Sequence, residues 1–284
     1  GPLSAERLGA ELRTVQGPSA LGGGWSRFFD LLYLISVTEF RKTYFGTVLG
    51  YLWSLLRPLL LFGILLFVFT QIIRIGSQVD HYPVLLLFNL VLFGLFQEGT
   101  SMSVTSVVAQ EGIVRKTQFP RLVIPMSIVL TSLFNLAANL VAVVIFLLAF
   151  GVSPMWTWLL FPVIVATLFV LTAAMAMLLS SLYVRFRDVA IIWGVAVTAL
   201  FYATPVLYPL EFVPERFRQL IALNPLTPIF AQARKWIIDP DAPNAAAAVG
   251  GWAHLIAPAA IFVAVCALAV WVFNREAPRV AEEL

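Results

Sequence analysis

Charged residues are scarce in this sequence. Only 12% of its 284 residues are Asp, Glu, Lys or Arg, and 61% are hydrophobic, whereas soluble domains carry about 25% charged and about 45–50% apolar residues. Several apolar stretches reach the roughly 20 residues that a helix needs to cross a bilayer. The composition therefore excludes a water-soluble enzyme core and predicts an all-α integral membrane protein, because helices satisfy their own backbone hydrogen bonds in lipid.

Residues that support catalysis or metal binding are also few. The chain has one cysteine, Cys266, and two histidines, His81 and His254, and none belongs to a cluster with metal-ligand spacing. None of the three lysines lies in a Gly-x-x-x-x-Gly-Lys-Ser/Thr phosphate-binding loop. We therefore expect no catalytic residue, no metal and no cofactor on this chain. Any energy for its activity must come from another molecule.

Hydropathy predicts six membrane-spanning helices. The predicted spans are residues 48–73, 82–108, 122–150, 158–184, 189–208 and 251–273. Between the fifth and sixth spans, residues 209–250 contain too many prolines for a complete crossing but are rich in Phe, Leu, Ile and Trp. This mixture predicts short re-entrant helices on the outer side of the membrane. An ordinary extracytoplasmic loop is the alternative.

Basic residues are distributed unequally between the two sides of these spans. Of the eighteen Lys and Arg residues, twelve fall on the side that carries both termini, five fall on the other side, and Arg57 lies inside the first span. The positive-inside rule then predicts that both termini are cytoplasmic and that the protein lies in the cytoplasmic (inner) membrane. This distribution accounts for the pI of about 9.2, so no nucleic acid partner is expected.

The N-terminal region divides into a tail and an amphipathic segment. Residues 1–26 form a polar tail, and its first four residues resemble the remnant of a cleaved tag. Residues 27–47 mix apolar and basic positions at helical spacing, which predicts an interface helix on the cytoplasmic face. Packing against a cytoplasmic partner is the alternative for this helix. The transmembrane domain then covers 48–274, and a cytoplasmic tail covers 275–284.

Polar and aromatic side chains within the spans define a candidate path. Arg57 lies roughly 13 Å into the first span, where it either snorkels to the inner interface or lines a polar path. The second span is apolar in its outer half and polar in its inner half, a pattern that helix packing also produces. Aromatic faces suit sugar rings, with an interfacial aromatic belt as the alternative. The candidate path residues are Tyr51, Trp53, Arg57, Gln97, Glu98, Phe201, Tyr202 and Tyr208.

The predicted cytoplasmic loop 110–121 has the character of a docking segment. It is short and basic and ends with Pro120 and Arg121. A solvated turn has no need for Ile113, Val114 and Phe119, whereas apolar anchors beside positive charge suit a groove on another protein.

The same loop resembles a motif of the membrane subunits of ABC-2-type polysaccharide exporters, which move O-antigen, teichoic acid, capsule or galactan chains. The family pattern Asn-x-x-Leu-Ile-x-Lys-x-x-Phe-Pro-Arg is matched by Gly112, Ile113, Val114, Lys116, Phe119, Pro120 and Arg121. Further matches follow the family's order: Glu39, Arg41, Tyr44, Leu49, Gly50, Trp53 and Pro58 upstream, and 187–189, 204–209, 224–226 and Arg234 downstream. The chain departs from the pattern at Gln110, which replaces an Asn, and at Arg57, where an uncharged residue is expected.

The resemblance implies a specific assembly and function. It implies a homodimer of this chain with two copies of a separate ATPase subunit, which would hold ATP and Mg²⁺, and a path for a polyprenyl-diphosphate-linked polysaccharide at the dimer interface. It also implies that segment 110–121 contacts the ATPase and that 209–235 forms outer gate helices. The expected coupling residues are Glu111, Ile113, Arg115, Lys116, Phe119, Pro120, Arg121, Arg187 and Asp188.

Two other functions are open at this point. An ABC-2-type exporter of lipids or drugs would share the same architecture. An ion-coupled secondary transporter or a membrane-bound transferase would need a second intramembrane acidic or catalytic group beside Glu98, and the spans offer none.

Overall fold

A computed structural model describes residues 24–44, 50, 52–110, 112 and 120–276, and within these residues the chain is helical with no strands. The helices, numbered in chain order, are α1 (Trp25–Tyr44), α2 (Leu52–Phe67), α3 (Tyr82–Val104), α4 (Ser106–Ala109), α5 (Val123–Ala149), α6 (Phe161–Arg185), α7 (Val189–Ala203), α8 (Glu215–Ala222), α9 (Leu226–Ile237), α10 (Ala245–Ala248) and α11 (Trp252–Glu276). The prediction of an all-α membrane protein is confirmed.

Prolines explain where several of these helices begin and bend. Pro83 and Pro162 lie in the first turns of α3 and α6, where a missing N–H is harmless and the fixed φ suits a helix. Pro58 lies inside α2 and Pro258 inside α11. Neighbouring helices and local changes of helical pitch allow prolines inside membrane helices, and α2 continues into a wider π-helical turn at Val68–Ile72.

Helix α3 forms the centre of the bundle. In its most apolar stretch 78% of the residues are buried, compared with 6% for the span Leu52–Ile72. It packs chiefly against α5 and α6, α11 packs on α6, and α1 packs on α5. Because lipid tails are as apolar as these side chains, close packing between helices and hydrogen bonds across them stabilise such a bundle.

Helix α1 packs on α5, and two side-chain contacts help to hold it there. The Thr131 hydroxyl donates a hydrogen bond to the Ser36 carbonyl at 3.2 Å, and the rings of Phe40 and Phe134 meet edge to face with centroids 6.0 Å apart. A helix therefore covers most of the predicted interface segment, and residues 45–47 lie outside the described residues. Its position on the cytoplasmic face stays a prediction.

Five helices in the described part of the chain are long and apolar enough to cross a membrane: Leu52–Ile72, Tyr82–Val104, Val123–Ala149, Trp156–Arg185 and Trp252–Arg275. They match the predicted first, second, third, fourth and sixth spans. The predicted fifth span is a shorter apolar helix of 15 residues, α7, about 22 Å long against roughly 30 Å of hydrocarbon. The count of six crossings, with both termini on one side, stays a prediction.

Three short α-helices, α8, α9 and α10, lie in the proline-rich segment between α7 and α11. Helix α8 has eight residues and α9 has twelve. Asn224 joins them to the end of α7, because its Nδ2 donates to the Thr204 hydroxyl at 2.8 Å while its Oδ1 accepts from the Leu226 N–H at 3.0 Å. The segment thus contains short helices held by side-chain hydrogen bonds.

Candidate functional site

A chain of hydrogen bonds connects α2, α3 and α5 inside the bundle. The Asn135 side-chain amide on α5 donates to Glu98 Oε1 on α3 at 2.6 Å. One helical turn further, the Asn139 amide donates to the Ser54 carbonyl of α2 at 3.1 Å and to the Asn135 carbonyl at 2.8 Å. Polar groups in a membrane interior require such partners, so this polar chain fixes the relative positions of the three helices.

Next to these hydrogen bonds, the C-terminal half of α3 presents a polar surface. Gln97, Ser101 and Thr105 are exposed, and their spacing of four residues places them on one helix face. The Arg57 side chain on α2 is also exposed. A charged side chain in contact with hydrocarbon is costly, so this surface must face water or another protein surface.

The aromatic residues predicted to line the path separate into two groups. Trp53 is exposed (42%) and lies one helical turn before Arg57, whereas Tyr51 lies outside the described residues. At the far end of α7, Phe201 packs against Phe93 of α3 with ring centroids 5.2 Å apart. Trp53 therefore lies on the same face of α2 as Arg57, whereas Phe201 contributes to the packing of α7 on α3.

Tyr202 and Tyr208 lie close together beyond Phe201. The Tyr202 ring is 60% exposed, and the Tyr208 hydroxyl donates a hydrogen bond to the Tyr202 carbonyl. None of the described contacts joins these tyrosines to Arg57, Gln97 or Glu98. The described path residues thus include polar side chains on α2 and α3 and an aromatic group at the C-terminal end of α7.

The N-terminal half of α3 holds the segment that follows α7. Asn89 Nδ2 donates to the carbonyls of Pro205 and Val206 at 3.1 and 3.2 Å, and the Tyr82 hydroxyl donates to the Leu207 carbonyl at 2.7 Å. Both donors are almost fully buried. These bonds satisfy three carbonyls of an irregular segment, which is how non-helical backbone is tolerated at membrane depth.

A small cavity of about 20 Å³ lies beside Asn89, between this segment and α9. Asn89 is one of the residues that line it, and its Oδ1 has no hydrogen-bond partner among the described residues. A cavity of this size has room for one water molecule. On its other side, Arg234 Nη1 donates to both carboxylate oxygens of Glu211 at 3.1 and 3.2 Å, which links α9 to the turn before α8.

Most of the predicted coupling loop cannot be placed. Glu111, Ile113, Arg115, Lys116 and Phe119 lie outside the described residues. The two described residues at its end are Pro120, which is buried, and Arg121, which is partly buried. Burial lowers the pKa of the Arg121 guanidinium, and its Nη1 has no hydrogen-bond partner among the described residues.

Arg187 and Asp188 occupy the exposed turn between α6 and α7. The Arg187 guanidinium lies over the Tyr183 ring, 5.0 Å from its centroid. This turn and the ends of loop 110–121 lie at the same end of the bundle, because Val107, Ile124 and Val184 belong to one apolar cluster. The structure thus brings the flanks of the two predicted coupling segments to one side of the molecule.

Sequence reasoning missed the asparagines that hold this site together. Asn89 is the one amide in the apolar outer half of the second span, and Asn135 and Asn139 are spaced four residues apart in the third. An amide side chain in an apolar span is costly unless it has a hydrogen-bond partner. The sequence alone therefore indicates that these asparagines bind to neighbouring segments. Among the described residues, no group of three or more His, Cys, Asp or Glu side chains could hold a metal ion.

Comparison with known proteins defines the class to which this chain belongs. The ABC-2 type transporter family profile matches residues 30–237. The chain therefore belongs to the ABC-2 type transporter family, and the family predicted from the sequence motifs is confirmed.

Its relatives include permeases named for polysaccharide export. The chain is 33% identical over 199 residues to the O-antigen export system permease protein RfbA of Klebsiella pneumoniae, a match that covers 70% of this chain and 76% of the relative. It is 28% identical over 260 residues to the RfbA permease of Myxococcus xanthus, covering 91% and 96% of the two chains. The polysialic acid transport protein KpsM of Escherichia coli is 23% identical over 199 residues, covering 69% and 77%.

Proposed function

We propose that this chain is the membrane subunit of an ATP-driven exporter that moves a polyprenyl-diphosphate-linked polysaccharide across the cytoplasmic membrane. The observation that carries the proposal is that polar side chains are exposed on otherwise apolar helices, Arg57 on α2 and Gln97, Ser101 and Thr105 on one face of α3. A hydroxyl-rich polymer needs such a surface to cross the bilayer. The relatives named for O-antigen and polysialic acid export support the same cargo class.

The exposure of α2 supports a homodimer. Only 6% of the most apolar stretch of Leu52–Ile72 is buried in one chain, and the charged Arg57 side chain on this helix is exposed. A second copy placed against α2 would shield the apolar residues and enclose the polar surface in a water-filled path, which is where intramembrane charges are found. Both termini would face the cytoplasm.

The energy source in this proposal is a separate ATPase subunit, present in two copies. No catalytic residue, cofactor or metal on this chain takes part, and ATP with Mg²⁺ would be held by the ATPase. Segment 110–121 would receive the movement of the ATPase, together with Arg187 and Asp188 at the same end of the bundle. Helix α1 would transmit it to α5 through the contacts of Ser36 and Phe40 described above.

Reversing the charge of the coupling segment tests this mechanism. We expect the double variant Arg115→Glu, Lys116→Glu to separate ATP hydrolysis from export, because apolar anchors beside positive charge suit a complementary groove. Glycan export in cells and the ATPase activity of the purified complex are the two measurements. The double variant Arg275→Glu, Arg279→Glu makes the same charge change at the end of α11 and in the residues that follow it, and serves as control. Wild-type export by the loop variant would contradict the coupling role.

The cargo is tested with the complex in proteoliposomes. We expect lipid-linked glycans, extracted from cells depleted of this protein, to stimulate ATP hydrolysis, and hydrophobic drugs to leave it unchanged. Stimulation by drugs or by phospholipid alone would instead identify an exporter of lipids or drugs. Recovery of the chain from the membrane without any ATPase would contradict an ATP-driven exporter altogether.

A further inference from the structure

Helices α8 and α9 follow each other in the segment between α7 and α11, but they are attached to the bundle in different ways. Six of the twelve residues of α9 are buried, whereas Ala222 is the one buried residue among the eight of α8. Helix α9 packs on α6, and its Phe230 ring meets the Phe93 ring of α3 with centroids 6.5 Å apart. A helix with little buried apolar surface opens more easily than one that is largely buried.

The C-terminal end of α9 is fixed by the turn that precedes α6. The Thr157 hydroxyl donates to the Trp236 carbonyl at 2.5 Å, and the Trp158 indole N–H donates to the Ile237 carbonyl at 3.0 Å. The last carbonyls of a helix have no partner within it, so these bonds satisfy groups that would otherwise need water. Helix α9 is therefore bound to the bundle both along its length and at its end.

Few side-chain hydrogen bonds hold α8 in its position. Among the described residues, Arg218 Nη2 donates to the carbonyls of Glu211 and Val213 at 3.4 and 3.2 Å. The Thr227 hydroxyl of α9 donates to the Ile221 carbonyl at 2.7 Å. The two arginine bonds are long, and hydrogen bonds weaken as the distance between donor and acceptor increases. The Thr227 bond is the shortest of the three.

The guanidinium of Arg218 is not fully satisfied in this position. Its Nε is buried and has no hydrogen-bond partner among the described residues. A buried donor without a partner is costly, and movement of α8 away from the bundle would bring water to it. This cost opposes the hydrogen bonds that hold α8, so it lowers the free energy needed to move the helix outward.

The turn before α8 is fixed to the bundle. Leu210 and Val213 of this turn belong to an apolar cluster with Ala248 of α10. Between them, the Glu211 carboxylate accepts two hydrogen bonds from Arg234 of α9. Any movement of α8 therefore starts after this turn.

Prolines and an asparagine mark the joints at the two ends of α8. Pro214 directly precedes α8, and Pro225 directly precedes α9. Proline has no N–H, so the backbone hydrogen bonds of a helix are interrupted there. Asn224 binds the second joint to the end of α7, because its Nδ2 donates to the Thr204 hydroxyl at 2.8 Å. Helix α8 can thus turn about two fixed joints while the bonds of α9 stay intact.

We propose that α8 is a hinged flap, which turns about Pro214 and Asn224 while α9 and the turn 210–213 stay in place, and that Thr227 and Arg218 hold it closed. The resemblance of the sequence to polysaccharide exporters implies outer gate helices over 209–235, and this proposal restricts the moving part to 215–222. A role for the flap in opening one end of the export path rests on the proposed function. The hinge itself does not.

Cysteine accessibility tests the flap in the purified protein in lipid nanodiscs, in a Cys266→Ser background. Ala222→Cys and Ala233→Cys place the same probe at buried positions of α8 and α9, which are 5% and 0% exposed. Because an open flap exposes position 222 alone, we expect N-ethylmaleimide to modify it about tenfold faster than position 233. Leu220→Cys, at a position that is 67% exposed, gives the rate for full access.

Loss of the Thr227 hydroxyl should increase the population of the open flap. Thr227→Val keeps the shape of the side chain but removes the donor to Ile221, and one hydrogen bond changes such an equilibrium about fivefold. We therefore expect modification at position 222 to become about fivefold faster and modification at position 233 to stay the same. Thr167→Val is the control, because its exposed hydroxyl bonds only within α6.

Three results would contradict the flap. Equally slow modification at positions 222 and 233 would show that α8 is as fixed as α9. Equally fast modification at both positions would show that the two helices open as one unit. A wild-type rate at position 222 in Thr227→Val would show that this bond does not hold α8. None of these measurements depends on transport, so the proposed function is tested separately.

Discussion

Gly99 of α3 lies close to both α5 and α6. A Cβ atom at this position would stand 2.6 Å from Thr172 Cγ2 and 2.8 Å from Ser132 Oγ, and both neighbours are buried. We predict that Gly99→Ala destabilises the protein by about 1–3 kcal/mol, the usual effect of overpacking. Thermal unfolding of the purified protein in detergent measures it.

Gly94 on the same helix is the matched control. A Cβ there would meet nothing within 4 Å, so Gly94→Ala should leave the unfolding temperature unchanged or raise it. Adding Thr172→Ser to Gly99→Ala removes the closer of the two contacting atoms and should recover part of the loss. Equal stability of the two single variants would show that α3 has room at Gly99.

The hydrogen bonds of Asn89 lead to a second prediction about a single residue. Replacement by leucine leaves the carbonyls of Pro205 and Val206 without their described donor, and an unsatisfied buried group costs about 1–3 kcal/mol. We expect Asn89→Leu to lower the unfolding temperature and to speed amide exchange across 204–210. Thr198→Val is the control, because its exposed hydroxyl bonds only within its own helix. Unchanged exchange at 204–210 would contradict the anchoring role.

The sequence indicates which residues are polar but not which ones meet. Glu98 was selected because it is a carboxylate inside a span, and that reasoning needs only its neighbours along the chain. Its partner Asn135 belongs to another helix, 37 residues away, and the face that each helix turns toward its neighbours depends on packing. Side-chain direction and helix contacts therefore had to come from the structure.

At the scale of elements, α1 is held to the bundle by its packing against α5. We predict that Phe134→Ala removes the edge-to-face contact with Phe40 and weakens the attachment of α1. Such aromatic pairs contribute about 0.5–1.5 kcal/mol beyond their buried area, so amide exchange in α1 should become several-fold faster. Hydrogen exchange followed by mass spectrometry measures this.

The control for this variant lies at the other end of the same helix. Phe150→Ala removes a phenyl ring that is 45% exposed and should leave exchange in α1 unchanged. If neither variant affects α1, the hydroxyl of Thr131 and other contacts are enough to hold it. If Phe134→Ala affects α6 as strongly as α1, the ring stabilises the whole bundle instead.

Helix boundaries followed hydropathy closely for four of the long spans, because an apolar run bounded by polar or proline residues leaves little choice in a membrane. The fifth span was predicted too long. Residues 204–208 are apolar enough to extend it, but α7 ends at Ala203, and Asn89 and Tyr82 bind the carbonyls that follow. A hydropathy window does not register hydrogen bonds from another helix.

At the scale of the whole molecule, the six-span prediction requires α7 to cross the membrane. Arg187 precedes α7 and Glu215 follows it, and both are exposed. Labelling at these two positions therefore shows on which side of the membrane each end of α7 lies. In a Cys266→Ser background, we expect a cysteine at position 215 to react with a membrane-impermeant maleimide added outside intact cells. A cysteine at position 187 should react only after the membrane is permeabilised.

A helix α7 that does not cross the membrane would give a different labelling pattern. If both cysteines react from the same side, α7 does not cross, and the two termini lie on opposite faces of the membrane. Labelling of both cysteines in permeabilised cells controls for accessibility. Cys266 is the one cysteine in the sequence, so a single substitution prepares this background.

The exposure of Arg57 also has a consequence for the biogenesis of the protein. A newly inserted copy without a partner leaves this arginine in contact with lipid, at a cost that insertion measurements place near 2.5–3.5 kcal/mol for a charge at the bilayer centre. Such a copy is a natural substrate for membrane proteases. We therefore expect unassembled chains to be degraded, so that the cell accumulates only complete complexes.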